Sequence, residues 1–190
     1  MLAQIAQVII DTAVGLIVLL LLARFHFQWM RVSFRNAFGG FIIAATNWIV
    51  MPLRRILPGL AGLDLASLVA AILVQGFGLF LIHAVIGRPY AGSLGETLAV
   101  LAALAFVDLL RLSLYLLVFA LIVQAVISWI NPYSPIAPVF NALTRPFLRP
   151  LRGVVPPIGN VDISPLVLIV LLQVLLIPLA YLREYVGLML

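Results

Sequence analysis

The residues able to do chemistry in this chain are few, and most lie inside oily stretches. Asp11, Asp108 and Arg111 are charges within or beside apolar runs, and Gln75 and Gln173 are amides inside two others. A charge at the centre of a bilayer costs about 2.5–3.5 kcal/mol on insertion scales, so such groups pair with one another. Asp108 and Arg111 stand at i and i+3 and can face each other on one side of a helix. Asp11 can join them from another helix. Two chemistries stay open for this set, a structural ion pair or a path for protons or cations. The two glutamines suit hydrogen bonds between packed helices.

A second set is basic. Arg54 and Arg55 close one polar segment, and Arg145, Arg149 and Arg152 run through another at i, i+4 and i+7. Leu143, Phe147 and Leu151 are their apolar counterparts, which is amphipathic spacing. Pro146 and Pro150 should break that helix into short turns. The element then lies in the membrane interface, arginines toward phosphate and Phe147 toward acyl chains. The plainer alternative is a topology signal with no specific ligand. Asn131-Pro132 should end the helix before it, with Trp129 anchoring at the interface. A loop shaped for a partner protein is the other reading there. Asp64 and Asp162 each stand just before an apolar run, where a carboxylate caps a helix start. A salt bridge from each to a loop arginine is the sharper version.

Composition limits what these residues can do. The 190 residues are 65% hydrophobic and 9% charged, too few charges for a water-exposed surface. The class is an integral membrane protein. There is no cysteine, so disulfides, thiolate metal sites and cysteine nucleophiles are excluded. No Ser/His/Asp set, phosphate-binding glycine loop or carboxylate cluster converges, so the reading is a non-enzyme without cofactor or metal. The net charge of +5 comes from arginine alone. No segment is polar enough for nucleic acid, and anionic head groups are the expected partner.

Four spans can hold these residues: Ile5–Ala23, Leu65–Ile86, a long run from Leu98 to Ile130, and Ile163–Leu182. Asp11 sits inside the first, and no positive charge precedes it, so it reads as a retained span. Phe41–Leu53, broken by Asn47 and Pro52, is too short to cross and reads as interfacial or re-entrant. Ser93-Leu94-Gly95-Glu96 has the spacing of a capping box. The run from Leu98 is best taken as one tilted or kinked helix, with residues 98–107 as a separate piece the alternative. Arginine placement puts both basic segments on the cytoplasmic side and both termini outside.

The chain repeats itself. A shift of 98 residues lays Pro52–Gln75 over Pro150–Gln173 with nine of 24 positions identical, among them Arg54/Arg152, Asp64/Asp162 and Gln75/Gln173. Trp29 meets Trp129 at a shift of 100. The expected architecture is all-α and polytopic, with two tandem units at 1–90 and 91–190 in the same orientation.

Ile127-Ser128-Trp129-Ile130-Asn131-Pro132, Arg145-Pro146, Pro156-Pro157-Ile158-Gly159 and Asp162-Ile163-Ser164-Pro165 resemble the hallmark of the YggT family, with its YlmG relatives. The resemblance covers the whole chain as two copies, the second the better kept. It implies a small multi-pass protein of the bacterial inner membrane. It also implies roles in osmotic or envelope stress and membrane organisation, with no catalytic residues to carry over. The expected function is a scaffold engaging anionic lipid and another membrane protein. The alternative is a small channel or transporter subunit, which four spans can line only as a homo-oligomer.

Overall fold

The structure is a computed structural model and describes residues 1–190 except 58, 60, 61, 88–91, 132 and 156–161. Among the described residues six helices follow in order: α1 (Leu2–Trp29), α2 (Ala37–Arg54), α3 (Leu65–Ile86), α4 (Leu94–Ile130), α5 (Ala137–Arg152) and α6 (Ser164–Gly187). All but α5 are long and apolar enough to cross a membrane. That is one more than the four spans expected, and α2 is the difference. Its helix begins four residues before Phe41, because Asn36 caps it, Oδ1 accepting from the Gly39 N–H at 2.8 Å. Gly39 must be glycine: a Cβ there would lie 2.5 Å from the Phe34 Cα. Pro52 falls in the last turn, too late to stop the helix.

The run before Asn131 is a single 37-residue helix, α4, so residues 98–107 are not a separate piece. The capping box forms at its start, with Ser93 Oγ accepting from the Glu96 N–H and Glu96 accepting from the Ser93 N–H. At about 1.5 Å per residue it is longer than one bilayer core is thick. Leu101, Leu104 and Ala105 of the extra length are buried. α4 ends at Ile130 as Asn131-Pro132 predicts, although Pro132 itself lies outside the described residues, as do Pro156–Val161.

A correction concerns α5. The prolines do not break it, and it runs unbroken from Ala137 to Arg152 with Pro146 and Pro150 inside. Four residues apart, both prolines are exposed, so both missing hydrogen bonds fall on the outward side. The inward side is held by buried Val139, Phe140, Leu143 and Leu148.

Three apolar clusters tie the helices together. One joins α1, α2 and α3, with Leu109 of α4, around Val18, Leu21 and Val50. Another joins α4, α5 and α6 around Val118, Leu121 and Leu148. The third, with Phe27, Ile42, Ala120 and Phe140, binds the first pair of helices in each half to its counterpart. Lipid is as apolar as leucine, so close backbone approach must hold such helices. Ala66, Ala70 and Ala71 of α3 are fully buried, and a Cβ on Gly78 would come 2.7 Å from Val14 Cγ1.

Candidate functional site

Where α1 ends, α2 ends and α3 begins, a cluster forms around Asp64. The carboxylate caps α3, accepting from the Ser67 N–H at 3.3 Å and the Ser67 hydroxyl at 2.7 Å. Arg54 Nη2 lies 2.7 Å from Asp64 Oδ2, and Arg24 Nε lies 3.4 Å from the same oxygen. Capping and salt bridge therefore coexist. Arg24 is buried, its Nη1 donating to Thr46 Oγ1 at 2.8 Å and to Asn47 Oδ1 at 2.9 Å. Burial acts to raise the Asp64 pKa. Hydrogen bonds from Arg54 and Ser67 and the charge of Arg54 outweigh it, holding the carboxyl below its ordinary range.

The same cluster is built again around Asp162. Arg152 Nε pairs with Asp162 Oδ2 at 2.8 Å, and the Ser164 N–H donates to Asp162 Oδ1 at 2.9 Å. Thr144 stands 98 residues after Thr46 and also bonds back into its helix, at 2.8 Å to the Phe140 carbonyl. Its hydroxyl meets Gln124 Oε1. Gln124 precedes Trp129 by as much as Arg24 precedes Trp29. Here the burial that pushes the Asp162 pKa up is again outweighed, by hydrogen bonds from Ser164 and Arg152 and by the charge of Arg152.

A third group lies between the halves. Asp108, buried on α4, accepts from Gln75 Nε2 at 3.0 Å, pairs with Arg183 of α6, and has Arg111 Nη1 at 3.8 Å. The i, i+3 pair is therefore the weaker of two, and Arg183 is the cation that closes on Asp108. These groups and Asp11 line a cleft of about 290 Å³. Asp11 has no ion pair among the described residues, so it shares the cleft without joining the network.

Arg55, Arg145 and Arg149 are exposed and make no ion pair among the described residues. Trp129 is exposed. Phe147 is half-buried against the cluster around Val118 and Leu148. Asn131 Oδ1 accepts from the Tyr133 N–H at 3.2 Å. Gln173 is exposed, unlike its counterpart Gln75. Sequence reasoning missed Thr46, Thr144, Gln124 and Arg183 and treated Arg24 only as a loop charge. The shift of 98 that lays Pro52 over Pro150 pointed to the two threonines, and the shift of 100 that matched the tryptophans pointed to Gln124. Arg183 carried no such signal, standing just past the expected end of its span.

Five long apolar helices define a multi-pass, all-helical membrane protein. The family model CCB3/YggT matches it over residues 3–85 and 103–182. A Pseudomonas aeruginosa protein described as uncharacterized is 36% identical over 160 residues, 83% of this chain and 79% of its own length. The Escherichia coli K12 protein described as uncharacterized protein YggT is 32% identical over 183 residues, 96% and 93% of the two chains. A Vibrio alginolyticus protein is 33% identical over 166 residues, 87% and 88%. No solved structure matches. The chain belongs to the CCB3/YggT family.

Proposed function

We propose that this protein is a non-enzymatic scaffold of the bacterial inner membrane. Its arginine-bearing face engages anionic head groups and another membrane protein, in support of envelope or osmotic stress tolerance and membrane organisation. The observation that carries this is α5. Arg145, Arg149 and Arg152 are exposed along one side while Phe140, Leu143, Thr144 and Leu148 are buried along the other. An amphipathic helix with that division lies naturally at a head-group surface. Arginine suits it, because the guanidinium stays charged and binds phosphate through two donors. Arg31, Arg35 and Arg55 add exposed charge to the segments joining α1, α2 and α3. The positive-inside rule assigns this face to the cytoplasm.

The test is lipid retention in nanodiscs of phosphatidylcholine with phosphatidylglycerol. The wild type should enrich the anionic lipid, and Arg145→Gln with Arg149→Gln should remove most of the enrichment. Equal retention of both lipids by the wild type sinks the reading. Because the chain has no cysteine, a single one at Ser134, labelled from either side, tests the orientation.

A second reading, a channel or transporter subunit working as a homo-oligomer, draws on the cleft with Asp11, Asp108, Arg111 and Arg183. Ionisable groups within spans mark ion pathways in many membrane proteins. Ion flux in proteoliposomes, abolished by Asp108→Asn, would favour it over the scaffold.

A further inference from the structure

The two halves differ in one group that the rest of the cluster is built to receive. In the first half Arg24 sends a guanidinium onto Thr46, Asn47 and Asp64, and the cluster is sealed: Arg24 is 4% and Asp64 2% exposed. In the second half the corresponding position is Gln124, shorter and neutral. Room is left behind. A pocket of about 270 Å³ is lined by Gln124, Ser128, Trp129, Arg152 and Asp162, and the Asp162 side chain is 43% exposed. Among the described residues Asp64 holds two cations and Asp162 holds one. The first half thus displays, within the same chain, what the second half lacks: a second cation against the carboxylate, beside the arginine that both halves share.

The surroundings narrow the ligand further. The pocket lies between the last turns of α4, which ends at Ile130, and the start of α6 at Ser164. That is the end of the bundle where exposed Trp129 marks the interface. Arg152 is in the pocket, and Arg145 and Arg149 are exposed on the same helix. A lone cation approaching Asp162 would meet these guanidiniums as well. A ligand carrying an ammonium close to a phosphate satisfies both, the ammonium on Asp162 and Gln124 Oε1, the phosphate on the arginines. The ammonium must have hydrogens to donate, since the Arg24 guanidinium it replaces acts through N–H groups.

We propose that the second half binds the head group of a zwitterionic phospholipid with a primary ammonium, phosphatidylethanolamine in chemical class, in the pocket that Arg24 fills in the first half. The proposal rests on and deepens the head-group reading of the same face by naming a second, net-neutral lipid class and its residues.

Native mass spectrometry of the full chain from nanodiscs of phosphatidylethanolamine, phosphatidylcholine and phosphatidylglycerol tests it. Wild type should retain phosphatidylethanolamine over phosphatidylcholine by roughly tenfold, the worth of a charge-assisted hydrogen bond. Gln124→Arg, which supplies the missing cation from within, should abolish that preference while leaving phosphatidylglycerol retention intact. Asp162→Asn should do the same by removing the negative charge that the ammonium pairs with, and serves if Gln124→Arg does not fold. No preference in the wild type, or a preference surviving in both variants, overturns the proposal. Displacement of the lipid by millimolar phosphoethanolamine would overturn the lipid as source in favour of a free phosphoamine. Loss of phosphatidylglycerol enrichment in Arg145→Gln with Arg149→Gln concerns only the anionic-lipid reading, so the two fail separately.

Discussion

The clusters around Asp64 and Asp162 use the same parts in the same order, a threonine, an arginine ten residues before a carboxylate, and a helix start just beyond. They differ in how much water reaches them. Arg54 and Arg152 are comparably exposed, at 40% and 47%, whereas the carboxylates they hold are 2% and 43% exposed. One substitution, arginine to glutamine on the preceding helix, accompanies the change from a buried three-group knot to an open pair. The sealed cluster pins α1, α2 and α3 together, and the open one leaves an acceptor facing outward. The same arrangement is thereby closed around Asp64 and open around Asp162.

The largest expected effect breaks that comparison at its carboxylates. Asp64→Ala leaves Arg24 buried without its counter-charge and should lower stability by about 3 kcal/mol, the lower end for a broken buried pair, because Thr46 and Asn47 still accept. Asp162→Ala loses a solvent-screened pair and should cost about 0.2–1 kcal/mol. Thermal unfolding of the two variants in one detergent measures the gap. Near-equal losses would mean the clusters are not divided as described. Acid sharpens the same point. Both carboxyls are held below their ordinary 3.8, so their stabilisation is complete above that pH and is lost as pH falls toward the lowered values. The wild type should lose stability over that range faster than Asp64→Asn.

The threonines come next. Thr46→Val removes an acceptor from a buried guanidinium and should cost about 1–3 kcal/mol, an unsatisfied-group penalty. Thr144→Val leaves Gln124, which borders the polar pockets and has other ways to be satisfied, and should cost about 0.5–1.5 kcal/mol. A combined Thr144→Val and Gln124→Leu variant should cost little more than Thr144→Val alone, as the two groups share one bond.

Much of this was legible before any coordinates. Apolar run length placed α1, α3, α4 and α6, because a span must satisfy its backbone within itself and announces itself by composition. A salt bridge from Asp64 and from Asp162 to a loop arginine was legible too, while the fold identified the partners as Arg54 and Arg152. What sequence hid was tertiary. Pro146 and Pro150 read as helix breakers, yet packing of Phe140, Leu143 and Leu148 outweighs two lost hydrogen bonds on the outer side. Phe41–Leu53 read as too short because the Asn36 cap, a single side-chain contact, sets the true start of α2. Arg183 was invisible for a related reason: its partner Asp108 lies 75 residues away, and no local pattern links them.

The smallest effect separates the two glutamines. Gln75 and Gln173 are repeat counterparts, yet Gln75 donates to buried Asp108 while Gln173 is exposed on α6. Gln75→Leu should therefore cost about 0.6–1.7 kcal/mol, the range for side-chain hydrogen bonds between membrane helices. Gln173→Leu should change the stability of the single chain by less than about 0.5 kcal/mol. An amide facing lipid gains nothing from isolation, so leucine there should be neutral or slightly stabilising in detergent. A marked destabilisation by Gln173→Leu would show that α6 has a partner at that face, which the single chain does not supply. Crosslinking through a cysteine at position 173 would then identify whether a second copy provides it.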